Sequence, residues 1–221
     1  MNKAVTFSFD DGQMEDVRLV DLLNRYRLKC TFNLNSAYLC REDALTKTLH
    51  HADRVKADEI KALYKGHEVA CHTCTHPSLT EIAADEIIYQ INRDAEILEE
   101  LCGYAICGMA YPNGRFDDRV VGVISENTAI RYARTTVSAG SFDRQEDLLR
   151  FHPTCHQENK DIFALADAFV QLQPTEPKLF YIWGHSYEFN SPEKWERFEA
   201  LCAKLSGKKD IFYGTNREVL L

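Results

Sequence analysis

The sequence predicts an α/β fold, a distorted (β/α) barrel of seven to eight strands, closed or incomplete. Three observations point there. Short apolar runs alternate with helical patterns along the whole length, the mark of βα units around a mostly parallel sheet. The runs are apolar on both faces, as strands covered by helices must be. The 221 residues, 45% of them hydrophobic, suit a single unit with one core.

The strands are expected at residues 4–9, 29–34, 68–71, 106–111, 130–135, 149–152, 179–183 and 210–213. Helices fit 15–26, 57–64 ended by Gly66, 118–126, 161–171, and 192–205 ended by Gly207. The clearest helix is 80–102, where Ile87, Ile91, Ala95, Leu98 and Cys102 recur near the helical period. Gly103 supplies its stop, and Ser78 with Glu81 forms a candidate capping box. No repeat, low-complexity tract or linker divides the chain, so residues 1–221 read as one domain.

Composition excludes several function classes. The formal net charge of −8, from 34 acidic against 26 basic residues, comes with no Lys/Arg run, which argues against a nucleic-acid partner. Met1 leads directly into Ala4-Val5-Thr6-Phe7-Ser8-Phe9, without a leader pattern or any stretch of 18 apolar residues, so the expectation is a soluble, cytoplasmic protein with no membrane partner. The eight cysteines, Cys30, Cys40, Cys71, Cys74, Cys102, Cys107, Cys155 and Cys202, are scattered, which favours reduced, mostly buried thiols over a disulfide framework. The oligomeric state is not encoded in any pattern of this kind.

In a parallel barrel, functional groups collect where strands end, because rigid strands fix loop residues that stay open to substrate. The first run ends in Ser8-Phe9-Asp10-Asp11-Gly12. Strand side chains alternate, so only a turn, which Gly12 permits, lets both carboxylates serve one site. The third run ends in His72-Thr73-Cys74-Thr75-His76-Pro77. Pro77 disfavours a helical His76, which puts His72 at the strand end and His76 on a tight turn. Two imidazoles with Asp11 as the natural third ligand make a facial site with open positions, the requirement of a catalytic metal. The rival reading gives the metal, or a redox function, to the pair Cys71 and Cys74. A further histidine, His185, follows the apolar run Phe180-Tyr181-Ile182-Trp183-Gly184, where it is available to protonate a leaving amine or simply to pack in the core.

Taken in order and spacing, these motifs resemble the polysaccharide deacetylase family, also called the NodB-homology or carbohydrate esterase 4 family, and the resemblance covers nearly the whole chain. It implies that Asp10 is the general base, that Asp11, His72 and His76 hold the metal, and that His185 is the catalytic acid. Ala110-Tyr111-Pro112-Asn113-Gly114 is similar to the family's third motif, which walls the groove and offers a backbone N–H to the oxyanion. There the usual Arg is replaced by Ala110, and Arg134 is the candidate substitute for orienting Asp10, against a plain structural ion pair. The fourth motif, an Asp and Trp pair that tunes the acid histidine, has no match; Asp143 and Glu188 are the candidates. His156, after another short run, lines the groove or else serves a capping or packing role.

The resemblance implies a hydrolase that removes an acyl group, N-acetyl first, from an amino sugar or oligosaccharide with water activated by a divalent ion. Zinc fits the ligands best, and cobalt, nickel, manganese or iron also suit two histidines and a carboxylate. Tyr111, Trp183, Tyr187 and Phe189 are candidates to stack on a sugar, or core residues. A small non-sugar amide is the alternative substrate. A binding protein that kept its metal and lost activity is the alternative function, motivated by the missing Arg and the missing Asp and Trp pair.

Overall fold

The computed structural model describes residues 1–39 and 54–221. Cys40 lies outside the described residues. Among the described residues there are eight strands: β1 (Lys3–Asp10), β2 (Cys30–Leu34), β3 (Glu68–Cys71), β4 (Gly108–Ala110), β5 (Tyr132–Arg134), β6 (Cys155–His156), β7 (Lys178–His185) and β8 (Phe212–Tyr213). They run parallel in the order β5-β4-β3-β2-β1-β7-β6, with β8 beside β1, and curl into the distorted, incomplete barrel that the alternation predicts. The helices are α1 (Asp16–Arg25), α2 (Ile60–Leu63), α3 (Ala84–Cys102), α4 (Asp118–Asn127), α5 (Ile162–Gln171), α6 (Pro192–Leu205) and α7 (Asn216–Leu220).

Strand alternation sorts β1 into two chemistries. Phe7 and Phe9 point outward to the helix layer, where both meet the ring of Phe198 on α6, at centroid distances of 5.9 and 5.7 Å. Burying each such ring stabilises the fold by roughly 1.5–3 kcal/mol. Thr6, Ser8 and Asp10 point inward and are buried. There they find polar partners, as groups taken from water must: Thr6 donates to Asn216 Oδ1 at 2.9 Å, and Ser8 Oγ accepts from Asn33 Nδ2 at 2.8 Å. The barrel interior is thus a stack of polar layers inside an apolar shell.

The lowest layer is closed by α7, a helix the sequence pattern does not announce. Its Arg217 N–H donates to Glu68 Oε2 at 2.9 Å, Thr31 and Tyr132 donate to the same carboxyl at 2.8 and 2.9 Å, and the Asn216 amide donates to the Tyr181 hydroxyl at 2.6 Å.

Three expectations need correction. Residues 149–152 do not form a strand: a 3-10 turn covers Leu148–Arg150, nucleated by Asp147, whose carboxylate accepts from the Leu149 N–H at 3.1 Å, and only Phe151 bridges to Arg134. The long helix begins at Ala84 rather than at residue 80, because a separate 3-10 turn, Leu79–Glu81, precedes it. Ser78 accordingly caps nothing; its hydroxyl accepts from the Asn113 amide at 3.2 Å.

Candidate active site

Register brings the polar strand ends together. Asp10 lies opposite Asn33 on one side and His185 on the other, and Ala110 lies opposite Arg134. All stand at the carboxyl ends of the strands. The chain turns sharply after Asp10: Asp11 and Gly12 both take positive φ, 82° and 62°. A side chain at Gly12 would also press to 2.9 Å from Leu34 Cδ2, so glycine is favoured on two counts. The Asp11 N–H is tied to Asn33 O at 2.9 Å, and its carbonyl accepts from Arg54.

The His72 loop is similarly over-determined. Thr73 and His76 sit in the left-handed region at φ 66° and 56°, so His76 before Pro77 avoids the right-handed helix as expected. Asp94 on α3 accepts from the His72 N–H at 3.0 Å and from the Ser36 N–H at 2.7 Å. The Asn35 amide donates to the carbonyls of His72 and Thr73 at 2.6 and 3.0 Å. A loop held this firmly can keep a strained backbone.

The result is a convergence of Asp11, His72 and His76, with one donor atom from each lying within 4.8 Å of the others. His72 Nε2 and His76 Nε2 stand 3.8 and 3.9 Å from Asp11 Oδ1. The donor set passes a second test. His72 Nδ1 is 2.8 Å from the carbonyl of Ala110, an acceptor only, which fixes the proton there and leaves the Nε2 lone pair facing the site. Burial and the proximity of His72 pull His76 down to about 4, so its ring is neutral near pH 7 and its lone pair is free. The residues therefore fit a divalent ion of the zinc class.

Asp10 stands beside this group yet is held apart from it, with His72 Nε2 at 4.0 Å. Arg134, wholly buried, pairs with Asp10 Oδ2, and the Asn33 amide donates to Oδ1 at 2.8 Å. Burial alone would raise this carboxyl, but Arg134 and the two neighbouring histidines outweigh it and hold Asp10 below the ordinary carboxylate range. Arg134 in turn lies 4.4 Å from the centroid of Trp183.

His185 stands beside Asp10 on the adjacent strand β7, Nε2 to Oδ2 at 3.9 Å, and its Nδ1 is 3.4 Å from Glu188 Oε1. Burial works to lower this imidazole, but Glu188 and Asp10 prevail and leave it above its usual value. Asp143 is nowhere near: it pairs with Lys178 at 2.5 Å. Tyr111 is buried, stacked on Phe116 at 5.1 Å, with its hydroxyl on Leu149 O and its N–H on Arg134 O, so it stiffens the wall from behind. Pro112 is buried with it, while Asn113, at φ 56°, is exposed on the rim. Trp183 is 9% exposed and Phe189 6%; Tyr187, at 45%, is the aromatic that stands open beside His185, with ring centroids 5.0 Å apart.

The geometry favours the histidine and carboxylate group over the cysteine reading. Cys71 and Cys74 are buried, burial raises both thiols, Cys74 to about 11, and among the described residues no potential metal group contains a cysteine. The described cysteines are all free thiols. Among the described residues no helix is long and apolar enough to cross a membrane.

Sequence reasoning missed Asn33, Arg54, Asp94 and Gln157. Asp94 had a signal: it falls on the apolar stripe Ile87, Ile91, Leu98 of α3, where a carboxyl must have a reason to be buried. Asn33, polar within the run Cys30–Leu34, had a fainter one. Arg54 had none.

Comparison with known proteins adds the following. The model of the polysaccharide deacetylase family matches residues 1–131. The peptidoglycan-N-acetylglucosamine deacetylase of Listeria monocytogenes is 27% identical over 121 residues, 54% of this chain and 23% of that one. A family 4 acetyl xylan esterase from Clostridium thermocellum, solved in complex with a cobalt ion, superposes with TM-score 0.61 at 17% identity, covering 98% of this chain and 90% of that one. A family 4 pseudoenzyme from Bacillus anthracis superposes with TM-score 0.63 at 19% identity, covering 100% of this chain and 66% of that one. At those identities the structural likeness speaks for the fold. The chain spans about a quarter of the length of the first curated relatives it matches.

Proposed function

The chain belongs to the polysaccharide deacetylase family, and from that premise we propose that it is a metal-dependent hydrolase removing an acyl group, N-acetyl first, from an amino sugar or oligosaccharide. The observation that carries this reading is the convergence of Asp11, His72 and His76 beside a second carboxylate, Asp10, that is held by its own partners. Asp11, His72 and His76 would hold the ion, zinc best by donor type, with cobalt, nickel, manganese or iron as substitutes. A divalent ion there supplies Lewis acidity, making water more acidic and polarising the amide carbonyl.

The chain's own residues divide the remaining work. Asp10, kept ionised by Arg134 and aimed by Asn33, takes the proton of the attacking water. His185, whose pKa Glu188 and Asp10 raise against the opposing effect of burial, gives a proton to the departing amine, without which an amide nitrogen leaves poorly. The Tyr111 N–H is already bonded to Arg134 O and Pro112 has none, so the wall's candidate donor to the oxyanion is the N–H of Asn113. Such a donor is typically worth about 3 kcal/mol in the transition state. Tyr187 is the aromatic positioned to stack on a sugar ring.

Two features favour an active enzyme over a binding protein that lost activity. Arg134 reaches Asp10 from β5 in place of the missing Arg, and Glu188 stands at His185 in place of the missing Asp. The test is acetate release from N-acetylchitooligosaccharides, peptidoglycan fragments and a panel of small N-acyl amides, with and without added zinc. Turnover that needs metal and disappears in Asp10→Asn supports the proposal. A zinc-loaded protein inert on every substrate would favour the binding reading, and turnover confined to the small amides would replace the sugar.

A further inference from the structure

A second set of histidines and a carboxylate converges on the far side of Asp10: His156, His185 and Glu188, one donor atom from each again within 4.8 Å of the others. By distance alone it resembles the Asp11 group. The two part on tautomer, which the second nitrogen of each ring decides. His156 Nδ1 accepts from the Glu158 N–H at 3.2 Å, which places an N–H at Nε2, 3.2 Å from Glu188 Oε2. Where His72 offers an ion a lone pair, His156 offers a carboxylate a hydrogen bond. On that tautomer the set is a proton-ordered network rather than a second metal centre.

The network has a direction. Glu188 Oε2 accepts from three donors: the Gln157 amide at 2.6 Å, His156 Nε2 at 3.2 Å and the His185 N–H at 3.3 Å. With that oxygen saturated, Oε1 is the one nearest His185 Nδ1, at an ion-pair distance of 3.4 Å without a formed hydrogen bond. Gln157 is buried and reaches Glu188 by passing directly over Gly184, where a Cβ would lie 2.4 Å from Gln157 Cδ; on the way its amide also donates to His185 O at 2.9 Å. The His156 ring stands edge-on to Trp183 at a 4.6 Å centroid distance, and Trp183 carries Arg134.

We propose that His156 is a positioning residue for His185, acting through Glu188: its Nε2–H, with the Gln157 amide, pins one carboxylate oxygen so that the other holds His185 with Nε2 aimed at Asp10 and the groove. His156 then touches neither substrate nor metal. The proposal rests on the reading of His185 as the acid that protonates the leaving amine.

The test uses the full chain loaded with zinc and two variants, His156→Leu, which removes the donor, and His156→Gln, which supplies an N–H near the same place. With tetra-N-acetylchitotetraose, His156→Leu is expected to lower kcat by about ten- to a hundredfold, the usual effect of losing an outer partner, with KM, zinc content and Tm close to wild type. His156→Gln should recover most of the loss. A raised KM at unchanged kcat would make His156 a substrate contact, and loss of a bound zinc in His156→Leu would make it a ligand; either overturns the proposal, as does an unaltered kcat. A second readout needs no turnover: long-range 1H–15N spectra of the histidines should show His156 as the Nε2–H tautomer and His185 nitrogen shifts that move in His156→Leu and return in His156→Gln. Were the wild type inert on every substrate, the hydrolase reading would fall while these spectra still decide whether His156 and His185 are coupled. Wild-type spectra with His156 protonated at Nδ1, or His185 shifts indifferent to both variants, would end the proposal.

Discussion

Arg134 and Asp10 form a pair whose value lies in being complete. Both are buried, Arg134 wholly so. Breaking such a pair leaves an uncompensated charge in the interior, which costs about 3–5 kcal/mol, whereas removing both charges costs far less. Arg134→Met is therefore expected to destabilise the protein by about that amount in urea denaturation, and Asp10→Asn added to it should return part of the loss. Strictly additive losses would deny the coupling. A second buried carboxyl behaves oppositely. Asp16 is fully buried, the Tyr64 hydroxyl donates to it at 2.7 Å, and burial, with the nearby Asp11 and Glu15 carboxylates, pushes it up to about 7. Its folded pKa thus exceeds its unfolded value of 3.8, so between those two values the unfolded chain has lost a proton that the folded chain keeps. Stability should fall as pH rises from about 4 to about 7 and then level off. Asp16→Asn, whose amide oxygen can still accept from Tyr64, should melt higher than wild type at pH 8 and lack that slope, as calorimetry across pH would show.

The strands carry the site because their ends are in register, and β7 shows how little slack they have. Gly184 exists so that Gln157 can cross it. In Gly184→Ala the two must separate, with an overpacking cost of about 1–3 kcal/mol and loss of the Gln157 hold on Glu188. The expected outcome is a lower Tm together with a lower kcat, and an unchanged Tm would mean that β7 is more pliant than its packing implies. This element also marks what a sequence can and cannot convey. His185 was legible because an apolar run opened onto a glycine and a histidine, and Asp10, Asp11, His72 and His76 because polar clusters punctuated apolar strands. Arg134 was legible only as a candidate, since nothing local tells a buried arginine from a surface one. Glu188 was one guess of two, and its rival Asp143 lies on Lys178. The strand expected at 149–152 failed because Asp147 stabilises a turn that its apolar neighbours conceal.

At the scale of the molecule, the barrel is an apolar shell around stacked polar layers, and that arrangement was invisible beforehand. Thr6, Thr31, Glu68, Tyr132, Tyr181 and Asn216 meet at the closed end although up to 210 positions separate the bonded partners. No local period encodes such contacts, and within each strand the inward polar residues are masked by their apolar neighbours. The open end holds Asp11 with His72 and His76, a donor set that fits a cation. Ligand binding to the folded state alone should raise stability by about 2.7 kcal/mol at a hundredfold excess over Kd, so zinc is expected to raise Tm by several degrees, and Asp11→Ala to abolish the rise. The most direct test is an anomalous difference map from a crystal of the zinc-loaded protein. One peak is expected, about 2.0–2.2 Å from an Asp11 oxygen, His72 Nε2 and a His76 ring nitrogen, with a remaining face open to the groove. A peak on Cys71 or Cys74, a peak between His156 and Glu188, or an ion that leaves any of Asp11, His72 and His76 unbound would contradict the account.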